Sequence, residues 1–177
     1  MPRKTRRARK SSTRKAPKIQ HHHLLLRMEL VKCPGPQQKE EAGQLIHKIV
    51  RDIDMKLLAD PKVYYVEVPR YNEGLTAIAP IETSHIAFHF WLRPDRDILH
   101  NPNSNCLLQF DVYTCGSLSL GNVKKIMHHL TQYGPKHVDI SILNRNWGLS
   151  LNRHLSWDEQ EGMSWANYLE SKRFNGE

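Results

Sequence analysis

Along residues 84–91, "SHIAFHFW", polar and apolar positions alternate. Residues two apart on a strand share a face, so His85, Ala87 and His89 fall on one face and Ser84, Ile86, Phe88 and Phe90 on the other. The same pattern logic places elements along the rest of the chain. "HLLLRMELVKC" (23–33) reads as a first strand, stopped by "PGP" at 34–36. From 37 to about 58, Ala42, Leu45, Ile46, Ile49, Val50, Ile53 and Leu57 recur at helical spacing. "KVYYVEV" (62–68) is a second strand, "RYNEG" (70–74) a turn, and "LTAIAPI" (75–81) a strand with Pro80 marking an edge or a break. A polar loop over 93–105 leads to the strand "CLLQFDVYTC" (106–115). A second helix over 120–133 and a strand over 137–143 follow.

The order is strand, helix, three or four strands, helix, strand. It predicts an α+β fold with an antiparallel sheet and helices packed on one face. Ser156 with Glu159 three residues on forms a capping-box pattern, which predicts a C-terminal helix over 156–172. Trp157, Trp165, Tyr168 and Leu169 would dock that helix to the body or to a partner.

At 177 residues the chain suits one domain, here 21–177, preceded by a tail. No apolar run approaches the ~20 residues that span a bilayer, so a soluble protein without membrane contact is expected. Three cysteines, Cys33, Cys106 and Cys115, and no apolar leader argue for a reducing, cytoplasmic setting and against a disulfide framework.

The net charge of +8 is local. Residues 1–18 hold nine Lys and Arg and no acid, which leaves 17 basic against 18 acidic residues elsewhere. Residues 1–20 therefore read as a disordered basic tail. Its candidate roles are a non-specific nucleic-acid arm weakened by salt, a targeting peptide, or a dispensable solvated extension. Too few apolar residues are present for an amphipathic transit helix. His21, His22 and His23 offer weak metal binding or simply a strand entrance.

"SHIAFHFW" followed by "FDVYTCG" (110–116) resembles the bacterial and archaeal S-adenosylmethionine decarboxylases, pyruvoyl enzymes that cleave themselves. Ser84, His85, His89 and Trp91 fit the first family motif, and Asp111 to Gly116 fit the second. "GLT" (74–76) stands where the family has Gly, an apolar residue and Ser, and "HLLLRMEL" resembles its first strand. The resemblance spans about 20–143 and leaves out the tail and the C-terminal helix.

The resemblance implies that the Ser84 hydroxyl attacks the Thr83 carbonyl, and that elimination and hydrolysis leave a pyruvoyl group at position 84. The chain would part into fragments 1–83 and 84–177. The pyruvoyl carbonyl forms a Schiff base with an amino substrate and acts as an electron sink, with no metal needed. His89 would move a proton during processing, Thr76 would supply a hydroxyl to the strained intermediate, and Cys115 would reprotonate the substrate carbon. A homodimer of cleaved protomers with sites near the interface is also implied. S-adenosylmethionine is the leading substrate and spermidine synthesis the implied pathway.

Departures bear on the substrate. Thr83 replaces the family's Glu, Thr76 its Ser, and Phe90-Trp91-Leu92-Arg93 its Thr-Trp-Pro-Glu. A cation in place of a carboxylate weakens a ribose or sulfonium site and suits a substrate carboxylate, so ornithine and arginine stand as alternatives. Other readings of the same residues are zinc held by His85, His89 and Cys115, a Cys115–His89 hydrolase pair, and an uncut scaffold binding nucleic acid through its tail.

Overall fold

A computed structural model describes residues 20–67, 72–82, 84–116, 118–146 and 148–171. Residues 1–19 of the expected tail lie outside these, as do Thr83, the last residue of the expected C-terminal helix, 172, and residues 173–177.

Among the described residues, seven strands form one antiparallel sheet. They are β1 (His22–Leu30), β2 (Lys62–Val66), β3 (Gly74–Ile81), β4 (Ser84–Trp91), β5 (Cys106–Thr114), β6 (Pro135–Asn144) and β7 (Ser150–Asp158), in the order β2-β3-β4-β5-β1-β6-β7. Helices α1 (Lys39–Asp52), α2 (Leu120–Leu130) and α3 (Trp165–Ser171) accompany it. This is the α+β architecture that the strand and helix order predicts.

The core lies between the sheet and the helices. Alternation turns Leu24, Leu26, Met28 and Leu30 of β1, Ile86, Phe88 and Phe90 of β4, and Leu108, Phe110 and Val112 of β5 toward the helices, all buried. Leu45, Ile46 and Ile49 of α1 and Val123, Ile126 and Met127 of α2 meet them from the apolar stripes of amphipathic helices. Each such side chain contributes about 1.5–3 kcal/mol by leaving water. Helix α2 starts where the Ser119 side chain accepts a hydrogen bond from the Asn122 N–H.

Helix α1 stops at Asp52, short of the expected 58. Asp54 takes a left-handed backbone (φ 59°), which Asp tolerates better than most residues. The chain then runs beside β3, where Leu57 bridges Ile81 and the Leu58 N–H donates to the Pro80 carbonyl. The C-terminal expectation needs a larger correction. Ser156 and Trp157 belong to β7, which pairs with β6 through Val138↔Trp157, and the helix begins only at Trp165. Trp157 docks it from the strand, with ring centroids 5.5 Å from Trp165. Lys124 of α2 pairs with Glu170 of α3 at 3.0 Å.

Cys33 and Cys106 form a disulfide, with an S–S distance of 2.05 Å, against the expectation of unpaired cysteines. An odd count leaves room for one pair and one free thiol. Leu30 lies opposite Cys106 in the β1–β5 register, so Cys33 follows just beyond the strand end. No described helix is long and apolar enough to cross a membrane.

Candidate active site

The sheet's second face carries no described helix, and its polar residues align in rows. The register places Thr76, His89, Gln109, Arg27 and Asp139 across β3-β4-β5-β1-β6 in one row. The next row along the strands is Ile78, Ala87, Asp111, Leu25 and Ser141. The third is Pro80, His85, Tyr113, His23 and Leu143. A shallow groove of about 760 Å³ runs over the first two rows. Leu25 and Ile78 stand in it 39% and 48% exposed.

Thr76 and His89 form one pair, because antiparallel pairing sets them directly opposite and the Thr76 hydroxyl hydrogen-bonds His89 Nδ1. Burial pushes the His89 imidazole below its ordinary value. Its Nε2 is buried with no hydrogen-bond partner among the described residues, and its ring packs 3.9 Å from that of Trp91. Gly74 is needed two residues earlier, since a Cβ there would run into the Phe90 carbonyl oxygen.

Ser84 sits elsewhere, at the first residue of β4 and just past the turn at Glu82. Its Oγ lies 3.2 Å from His85 Nδ1, and His85 Nε2 lies 3.1 Å from Asp111 Oδ2. His23 Nε2 lies 3.1 Å from the same oxygen. Tyr113 packs among His21, His23 and His85 at centroid distances of 5.6–6.3 Å, with the Arg145 guanidinium 4.2 Å above its ring. Cys115, the free cysteine, has Sγ 3.3 Å from His21 Nδ1, which is also 3.2 Å from the Tyr113 hydroxyl.

The structure thus gathers Ser84 and Cys115 toward one end of β4 and β5, and puts Thr76 with His89 two rows away. His85, His89 and Cys115 do not converge as zinc ligands, and Cys115 has His21 rather than His89 beside it. Arg145 joins the site without having been singled out; Asp111 and Tyr113 stood in the second motif without a role, and His21 and His23 had been offered as weak metal ligands or a strand entrance. The alternation of His21 with His23, and of Asp111 with Tyr113, was the available signal.

His23, His85 and Asp111 bring three donor atoms within 4.8 Å of one another, a set that suits a transition metal. A metal on His23 Nε2 would put the ring proton on Nδ1, 3.3 Å from Arg145 Nη1, which has only N–H to offer. Hydrogen bonding to Asp111 fits these neighbours better. Arg93, where the family has Glu, is exposed and 3.5 Å from Glu73.

A protein-family model described as S-adenosylmethionine decarboxylase matches residues 23–146, which hold all of these residues except His21. No curated protein matches the chain.

Proposed function

The chain belongs to the S-adenosylmethionine decarboxylase family, and from that premise we propose that it is a self-cleaving pyruvoyl-dependent decarboxylase with Ser84 as the cleavage residue. The observation that carries this reading is the placement of Ser84. It opens a strand directly after a turn, its hydroxyl lies within reach of an imidazole, and a free thiol belongs to the same cluster. A pyruvoyl group formed there would supply the electron sink that decarboxylation of an amino substrate requires.

Cys115 is the proton donor to the substrate carbon in this reading, with His21 oriented to exchange protons with it. Thr76 and His89 act in processing, but not on their own protomer's Ser84. Five residues along a strand span about 17 Å. We place them on a partner copy. A two-fold axis along the Ala87–Asp111–Leu25 row, between two facing sheets, would set the first row of one protomer over the third row of the other. The exposed Leu25 and Ile78, and the unpartnered Nε2 of His89, support a covering sheet on this face.

S-adenosylmethionine is the leading substrate, with decarboxylated S-adenosylmethionine for spermidine synthesis as product. Ornithine and arginine are the alternatives that Arg93 keeps open. The test is release of labelled carbon dioxide from each carboxyl-labelled compound, with reductive trapping of the substrate on fragment 84–177 by cyanoborohydride. Release and trapping with one substrate support the assignment. A cleaved protein that does neither with any of the three contradicts it.

Residues 1–18, with nine Lys and Arg, form a nucleic-acid arm in the same reading. Its removal should abolish salt-sensitive binding to duplex DNA and RNA, and retention of that binding would refute the arm.

A further inference from the structure

Self-cleavage needs a base for the Ser84 hydroxyl, and His89 is on the wrong part of the strand to serve its own chain. The proton positions around Ser84 follow from the chemistry of the partners. A guanidinium offers only N–H groups, so His23 Nδ1, 3.3 Å from Arg145 Nη1, is the acceptor and the ring proton is on Nε2. A carboxylate only accepts, so His23 Nε2 and His85 Nε2 both donate to Asp111 Oδ2, each at 3.1 Å. With its proton on Nε2, His85 presents the lone pair of Nδ1 to the Ser84 hydroxyl at 3.2 Å. A nucleophile, a base within reach, and a carboxylate fixing the tautomer of the base is the arrangement that activates serine in acyl transfer.

We propose that His85, oriented by Asp111, is the catalytic base of the first step of self-cleavage. His23 and Arg145 are positioning residues that hold the shared carboxylate. The proposal rests on the reading of Ser84 as the cleavage residue. The Ser84 Oγ–H proton passes to His85 Nδ1 as Oγ bonds to the carbonyl carbon of residue 83. The imidazolium returns that proton to the Ser84 nitrogen as the C–N bond breaks. The product is an ester with a free amine, and no atom is gained or lost. His89 of the partner is left for the later proton transfers that break the ester. Two histidines on one face of the same strand thus serve different steps because they hydrogen-bond different neighbours: Asp111 reaches His85, while Thr76 reaches His89.

The test follows the cut fraction over time by intact mass, in full-length chain made by cell-free translation. The wild type should cut itself. His85→Ala should be slower by at least about 100-fold and resistant to hydroxylamine, which cuts esters but not amides. Added imidazole should restore part of its rate, since the His85 side chain is 39% exposed and a small base can enter. Asp111→Asn should slow cleavage at least about tenfold, because a neutral amide does not stabilise the imidazolium. Circular dichroism confirms that each variant is folded.

His85→Ala cutting at the wild-type rate overturns the proposal and leaves Ser84 as the cleavage residue. So does a His85→Ala chain that accumulates a hydroxylamine-sensitive link, since the shift has then occurred without the base. A folded, slow His85→Ala that imidazole does not rescue, beside an unimpaired Asp111→Asn, makes His85 structural and also overturns it. A wild type that never cuts overturns the self-cleavage reading itself, and the base falls with it.

Discussion

Ser84 and His89 lie on the same strand, β4, yet on opposite faces and about 17 Å apart. His89 hydrogen-bonds Thr76 across the β3–β4 ladder, while Ser84 contacts His85 at 3.2 Å. A protomer therefore carries both groups that the proposed processing uses without bringing them together. In the proposed dimer, apposed open faces would set the His89 row of one protomer over the other's His85, the neighbour of Ser84 at the strand end.

Mixed protomers test this joining. Ser84→Ala and His89→Ala chains should each stay uncut alone. Co-refolded, they should yield fragments from the His89→Ala chain, which keeps Ser84 and borrows the imidazole of its partner. Mass spectrometry of distinguishable chains reads the outcome; an uncut His89→Ala chain in a confirmed heterodimer contradicts the shared site.

Cys115 separates turnover from processing. Its Sγ lies 3.3 Å from His21 Nδ1, and the proposed function gives it substrate protonation and no part in the Ser84 acyl shift. Cys115→Ala should cut itself at close to the wild-type rate and lose about 100-fold in carbon dioxide release. Equal loss in both assays would contradict the division of labour.

Much of this was legible in the sequence, for identifiable reasons. Strand β4 matches the expected 84–91 because Ile86, Phe88 and Phe90 alternate with half-exposed residues, and period two is unambiguous there. Strand β7 was invisible because "SLNRHLSWD" is an edge strand with one buried residue, Trp157, so no alternation shows. Ser156 and Glu159 imitate a helix start, yet the ladder partner Asp139 holds Ser156 in the sheet. The Thr76–His89 pair follows from a hairpin, whereas His23 meets Asp111 across 88 residues. That contact depends on the β1–β5 register, which no local pattern encodes.

The disulfide is a stability prediction. It joins residues 73 apart, so in the loop-entropy account it contributes roughly 4 kcal/mol. Reduction, or Cys33→Ala, should lower the urea midpoint accordingly. An unchanged midpoint after verified reduction would contradict the bond's contribution.

Glu29 gives a pH signature. Burial pushes its carboxyl up, but the N–H groups of His100 and Asn101 and the side chains of Arg27 and His100 outweigh that and hold it at about 2, against 4.5 ordinarily. Its folded value is the lower, so its stabilisation is complete above the ordinary value and drains away as pH falls from 4.5 toward 2. Glu29→Gln should cost about 3 kcal/mol at pH 7. The gap from wild type should close near pH 2, as urea melts across that range will read.

The most direct test of the central claim is intact-mass spectrometry of the purified full-length protein beside Ser84→Ala. The account predicts two fragments, 1–83 and 84–177, from the wild type, the second beginning with a pyruvoyl group, and one uncut chain from the variant. A single uncut wild-type chain in both fresh and aged samples would contradict it, because the chain would then lack the group its chemistry requires.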